Sequence, residues 1–200
     1  MQRCRTSLAF RGGCGATPWS REFAAWLRQH NASCLERERA GFYGLDLYSL
    51  HASMAAVLEY LDTIDPTGAA RARYRYSCFE DYGEERQAYG YAAAFNLSRS
   101  CEDQVVAQLV DLQRRATEYG QRDGHVAADD YFFAEQNARL LLHAEQYYRS
   151  MFVGRPDSWN LRDTHLAETL DALMQHVTRR REPADQAQEP SPKSLPYAVA

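Results

Sequence analysis

Residues 129–152 read DDYFFAEQNARLLLHAEQYYRSMF. Wound at helical pitch, this stretch brings Ala134, Ala138, Leu141, Tyr148 and Met151 near one seam, which predicts a long helix from about Ala128 to Phe152. Toward the C-terminus, Pro156 precedes a second pattern over about Ser158 to Thr178, with Leu166, Leu170, Leu173 and Val177 spaced by threes and fours. Toward the N-terminus, Ser100 and Asp103 form an S-x-x-D capping box. Val105, Val106, Leu109 and Leu112 supply the apolar face of the helix it starts, and Gly124 lies beyond its end.

Farther out, Pro66 reads as a first-turn residue of an Arg- and Tyr-rich helix reaching about Cys78. Leu50, Met54, Val57, Leu58 and Leu61 mark another helix over about Ser49 to Ile64, and Phe23, Trp26, Leu27 and His30 mark one from Ser20. Residues 79–97 are looser, with Tyr82-Gly83 and Tyr89-Gly90-Tyr91. Gly41–Asp46 (GFYGLD) is the best strand candidate. A lone strand leaves its backbone groups unpaired, so this one needs partners that the chain does not obviously contain. The expected class is therefore mainly α. Residues 1–19 are expected to be irregular, 20–181 to form the domain and the Pro-, Gln- and Ser-rich 182–200 to be a disordered tail.

A net charge of −4 over 200 residues gives no electrostatic reason to expect nucleic acid or an anionic membrane as a partner. No apolar run approaches the ~20 residues of a membrane-spanning helix, and a soluble, cytoplasmic protein is expected. The basic cluster Arg179–Arg181 reads as favourable charge at a helix C-terminus. Cys4, Cys14, Cys34, Cys78 and Cys101 are odd in number and irregular in spacing, which predicts reduced thiols rather than a disulfide framework or a zinc site. His51, His143 and His176 lie within helices without metal-ligand spacing. No H-E-x-x-H, G-x-S-x-G, Walker loop or dinucleotide fingerprint is present, so neither a cofactor nor a metal is expected. Ser49 and Ser158 read as helix starts, and the thirteen tyrosines as core or cleft walls.

GFYGLDLYSLHASMAAVLEYLD (41–62), YGYAAAFNLSRSCEDQVV (89–106), residues 129–152 and SWNLRDTHLAETLDAL (158–173) together resemble the erythromycin esterase family, actinobacterial-type branch, over about Arg21 to Val177. The resemblance implies an α/β, three-layer-like architecture with a central sheet, flanking helices and a cleft, of which this chain holds the helical portion with most strands missing. It also implies hydrolysis of a carboxylic ester by activated water, with macrolide lactone opening as the named activity, hence a small-molecule ester or lactone as partner. The family's G-E-x-x-H-G and H-N-x-H-like segments have no counterpart in these residues. Their absence, with loss of similarity at both edges, predicts a truncated or frame-slipped hydrolase. The alternative is a non-catalytic helical or partner-binding protein.

Arg162, Asp163 and Ala167 match the family's R-D-x-x-x-A motif, with Leu166 where methionine is usual. Arg162 shares a helical face with Leu166, Leu170 and Leu173, and a charge on an apolar face needs a partner. Arg162 either supports a developing oxyanion or substrate carboxylate, with Asp163 orienting it or a histidine, or pairs structurally while Asp163 sits at a helix start. His165 is the histidine beside that motif and the candidate base, although the family places its catalytic histidines elsewhere. Glu135, Gln136 and Asn137 are candidate cleft residues for holding a water or a carbonyl. Glu135 with Arg139 is equally an i,i+4 ion pair. Asp46 is either a site residue at a strand end or the cap of the helix near Ser49.

Overall fold

The computed structural model describes residues 18–35, 38–82, 85–120, 125–153 and 155–181. Its helices are α1 (Pro18–Ala32), α2 (Leu50–Ile64), α3 (Pro66–Tyr76), α4 (Arg86–Ala94), α5 (Glu102–Arg114), α6 (Ala116–Gly120), α7 (His125–Val153) and α8 (Arg155–Arg181), with a 3-10 helix at Ser77–Tyr82. The expected α class holds, and no strand occurs among the described residues. Residues 41–46 are irregular rather than extended in a ladder, which corrects the strand reading. Its glycines and aromatics suit a strand, but the described residues contain no second strand to take its backbone groups. The expected N-terminal segment and tail, and Gly124, lie outside the described residues, except that α1 already begins at Pro18.

Contacts divide the chain into two compact units. The smaller combines the described residues up to Phe42 with those from Asp171 onward. In it, the side chain of Asn31 both donates to the Ala40 carbonyl (2.8 Å) and accepts from the Ala40 N–H (2.9 Å), and Phe23 packs on Trp26 and Phe42.

The larger unit, Tyr43 to Leu170, is organised on α7, against which α2, α4, α5 and α6 pack. The seam read from 129–152 is the one that is buried: Ala134, Ala138, Leu141, Ala144 and Tyr148 face the core. Its alanines let neighbouring helices approach closely. At Gly90 of α4, an added Cβ would lie 2.3 Å from the Tyr148 carbonyl oxygen. Leu50, Val57 and Leu61 of α2, Ala69, Ala72 and Tyr76 of α3, and Val105, Leu109 and Leu112 of α5 complete the core. Asp65 caps α3 by accepting the Gly68 N–H at 2.9 Å.

Several sequence readings change. Residues 86–94 are helical rather than loose, with Gly90 of the Tyr89-Gly90 pair serving a close helix contact instead of a turn. Val106 is exposed. The S-x-x-D box does not form, because Ser100 accepts the Glu102 N–H (3.1 Å) while Asp103 pairs with Arg99 at 3.5 Å. Cys78 and Cys101 are joined as a disulfide, with Cα atoms 5.9 Å apart, correcting the expectation of reduced thiols at those positions. The start of the 3-10 helix and the start of α5 meet only through the tertiary packing, which spacing along the chain does not reveal. Cys34 is a free thiol.

Beside that disulfide the core contains an unexpected carboxylate. Glu145 is fully buried on the α7 seam and accepts from the Tyr89 hydroxyl (2.7 Å), the Ser100 hydroxyl (2.7 Å) and Arg149 Nε (3.1 Å). Tyr89 accepts the Cys101 N–H in turn (2.9 Å). A buried charge is tolerated when it is bonded in this way. Burial first, then the Glu145 charge, pushes the Tyr89 phenol well above its ordinary range, so it stays a donor.

Candidate active site

Every fourth residue of one α7 stripe is polar: Glu135, Arg139, His143 and Tyr147. Four-residue spacing stacks side chains on one helical face. The first half of α8 answers with polar residues of its own. Ser158, His165 and Thr169 are its buried positions there, whereas Leu170 is exposed. Over this half the inward face is rotated from the leucine stripe read from sequence, His165 finding a polar partner in His143 of α7, whereas Leu173 of that stripe is buried farther along the helix.

His165 and His143 meet with their Nδ1 atoms 2.8 Å apart. One nitrogen must donate and the other accept, so the pair cannot carry two Nδ1 protons. Burial, then the neighbouring His143, pushes His165 down to about 4, with Arg139 adding to the effect and Asp46 opposing it. Burial also lowers His143, against the pull of Glu168, whose Oε2 lies 3.7 Å from His143 Nε2. Both imidazoles are neutral at physiological pH. Nε2 of His165 is out of contact with solvent and has no hydrogen-bond partner among the described residues.

Arg162 grips Asp46 with two parallel bonds, Nε to Oδ1 at 3.1 Å and Nη2 to Oδ2 at 2.7 Å. Asp46 also accepts the Leu47 N–H (2.9 Å). Asp46 is therefore the partner of Arg162 and makes no cap for α2, whose Ser49 pairs its hydroxyl with Ser53 (3.2 Å). Burial opposes the Asp46 charge, but the Arg162 bonds and the Leu47 N–H outweigh it and hold the carboxyl below its ordinary value. The Arg162 guanidinium lies over the Tyr48 ring, 5.3 Å from its centroid, and the Tyr48 hydroxyl is 3.3 Å from that of Tyr147. Burial first, then the Tyr48 bond, pushes the Tyr147 phenol up to about 12.

Tyr48 and Tyr147 are also walls of an open groove of about 570 Å³, together with Glu85, Gln87, Ala88, Tyr148 and Met151. An adjoining pocket of about 440 Å³ shares Gln87, Tyr147 and Met151 and adds Phe152, Ser158 and Trp159. The hydroxyl pair of Tyr48 and Tyr147 thus forms part of an aromatic-walled cleft, with the Arg162 guanidinium stacked on Tyr48.

The family profile described as Erythromycin esterase matches residues 10–184. The chain belongs to the erythromycin esterase family. No solved structure matches it. Within this family member Asp46, Arg162 and His165 are brought together, with Asp46 close enough to bear on the His165 charge. Asp163 lies on the exposed side of α8. Glu135 faces α5, accepting from Gln113 Nε2 (3.0 Å) and pairing with Arg139 at 3.5 Å, the i,i+4 pair open from the sequence. Asn137 donates to the Phe133 carbonyl of its own helix at 2.7 Å, and Gln136 Oε1 is buried without a hydrogen-bond partner among the described residues. Sequence reading missed His143, Glu168, Tyr48 and Tyr147. The four-residue recurrence 135/139/143/147 was the available signal for two of them. Nothing local marks the other two, because their partners are remote in the chain.

Proposed function

We propose that this esterase-family chain serves the hydrolysis of a carboxylic ester or lactone, of which a macrolide ring is the type suggested by the family, using water rather than a covalent serine. The observation that carries the reading is the Arg162–Asp46 fork, whose guanidinium lies over Tyr48, a wall of the tyrosine-lined groove. Asp46 occupies the Nε/Nη2 edge of the guanidinium and so aims it. The Nη1 side makes no hydrogen bond among the described residues, and it is the donor to offer a carbonyl oxygen as negative charge develops there. Tyr147, protonated throughout neutral pH, supplies a second donor. His165 is the base. Asp163, on the outer side of α8, has no chemical step in this scheme. The groove's volume and aromatic walls suit a drug-sized, largely apolar ligand.

The test is turnover of a 4-nitrophenyl ester and of a macrolide lactone, the latter followed by mass for the addition of one water. Arg162→Ala is expected to lower kcat about a hundredfold, the cost of an oxyanion donor. Its partner Asp46 is 38 % exposed, so the same change should cost only about 1 kcal/mol of stability. Equal turnover in the variant removes Arg162 from the mechanism.

A second reading, a non-catalytic partner-binding helical protein, is favoured by exposed apolar side chains at the α7–α8 turn, where Val153 is 74 % and Trp159 61 % exposed. Absence of hydrolysis of either ester, with binding of an apolar dye and a non-cooperative urea transition, would select it.

A further inference from the structure

The Cys78–Cys101 bond has two unlike ends. Cys78, in the first turn of the 3-10 helix, is half-buried, whereas Cys101 is fully buried at the N-cap of α5. A disulfide is opened by a thiolate that reaches one sulfur and expels the other, so access selects the sulfur that is attacked. From solvent that sulfur belongs to Cys78. Cys101 is then the leaving group, and its place suits the charge it takes up, because a helix N-terminus favours a thiolate over a thiol. Three carboxylates around this helix start oppose that charge, and each is held by an arginine: Glu145 and Glu102 by Arg149, and Asp103 by Arg99.

Both ends of the bond lead to the wall of the tyrosine-lined groove. Phe79 and Tyr82 of the 3-10 helix pack edge-on against Tyr89 of α4, with ring centroids 5.0 and 5.4 Å away. The Glu85 N–H donates to the Tyr82 carbonyl (3.0 Å), and the Ala88 and Tyr89 N–H groups donate to that of Glu85 (3.0 and 3.4 Å). From the other end, the Cys101 N–H donates to the Tyr89 hydroxyl (2.9 Å). Glu85, Gln87 and Ala88 of the groove wall are therefore tied to α5 by one covalent and one hydrogen-bonded link.

We propose that Cys78–Cys101 is a thiol-exchange site, opened at Cys78 by a small thiol, and that its opening loosens the groove wall at the start of α4. In the step, a lone pair of the incoming thiolate sulfur forms a bond to Cys78 Sγ as the Cys78–Cys101 bond breaks. The electron pair of that bond departs on Cys101 Sγ, which then takes a proton from solvent. One disulfide is consumed and one mixed disulfide is formed, so the step itself needs no further oxidant or reductant. In reverse, the Cys101 thiolate attacks Cys78 Sγ and expels the small thiol, which restores the closed form. A second molecule of the small thiol carries the reduction to completion by taking the group off Cys78 as its own disulfide.

The test uses the full oxidised chain and needs no ester. Native protein is treated briefly with reduced glutathione, quenched in acid, unfolded, alkylated with a maleimide and digested. The expected result is a glutathionyl group on Cys78 and the maleimide on Cys101, with peptide mapping separating both from Cys4, Cys14 and Cys34. Hydrogen exchange is then compared between oxidised protein and protein opened with dithiothreitol. The amides of Glu85, Ala88 and Tyr89 should exchange about tenfold faster once the bond is open, while those of the buried α7 seam keep their protection. A glutathionyl group on Cys101 instead of Cys78 overturns the proposed direction of attack. A bond that resists glutathione until urea unfolds the chain overturns the exchange site. Unchanged exchange at the three amides, or equal acceleration throughout α7, overturns the link to the groove wall.

Discussion

A neutral histidine kept from water is a liability in acid, and His165 carries that liability. Its folded-state value, about 4, lies below the ordinary 6.5 of an exposed imidazole, so the unfolded chain binds the proton first. The stability this represents is fully present above pH 6.5 and is lost as pH falls toward 4. Converted at one unit per 1.36 kcal/mol, the loss reaches roughly 3 kcal/mol. Asp46, whose carboxyl is held below its ordinary 3.8, contributes in the same direction but only at still lower pH, so the two windows separate. Urea unfolding at pH 7.5, 6, 5 and 4.5 should show the decline, and His165→Gln should flatten most of it. A wild-type midpoint constant over this range would mean that His165 titrates normally. Arg162 was legible as a residue needing a partner, since a guanidinium on a leucine face cannot stand alone. Its partner was not, because Asp46 lies 116 residues away and nothing local distinguishes a forked carboxylate from a cap.

At the level of helices, α7 is the organising element, and its neighbours approach it at small residues. Gly90 decides the distance to α4. An alanine in an unhindered helix interior is favoured over glycine by about 1 kcal/mol. Here the methyl would lie 2.3 Å from a backbone oxygen of α7, which cannot rotate away. Gly90→Ala should therefore destabilise, by roughly 1–3 kcal/mol as α4 is forced outward, and a rise in thermal midpoint would contradict this packing. Helices with a clear apolar period, α2 and α7, were read nearly to their ends. α4 was not, since its Tyr89-Gly90 pair looks like turn chemistry until the opposing helix is in view. The inner face of the first half of α8 was misread for a related reason: Ser158, His165 and Thr169 are buried there, and hydrophobic periodicity is blind to polar positions, although Leu173 of the expected stripe is buried farther along.

Over the whole molecule, the Cys78–Cys101 bond closes a segment with a sequence separation of 23 and ties the 3-10 helix to the start of α5. Cross-linking a loop of that length restricts the unfolded chain by about 3 kcal/mol. Urea transitions with and without a thiol reductant should differ by that amount, and Cys101→Ser should reproduce the reduced midpoint. Coincident curves would show that the bond contributes nothing. The same corner holds Glu145, so folding here joins a covalent tie to a buried carboxylate network, both hidden from composition.

The sequence by itself determined the helical class, the positions of most helices, the buried seam of α7 and membership of a hydrolase family. These are properties of local spacing and of residue blocks, which a linear reading contains. Only the tertiary structure decided that 41–46 is not a strand, that Cys78 pairs with Cys101, that Glu145 is buried and satisfied, and that Asp46 pairs with Arg162 and His143 with His165. Each of these depends on which distant side chains come within a few ångströms. Hydrogen bonds and ion pairs act at that range, and separation along the chain carries no record of it.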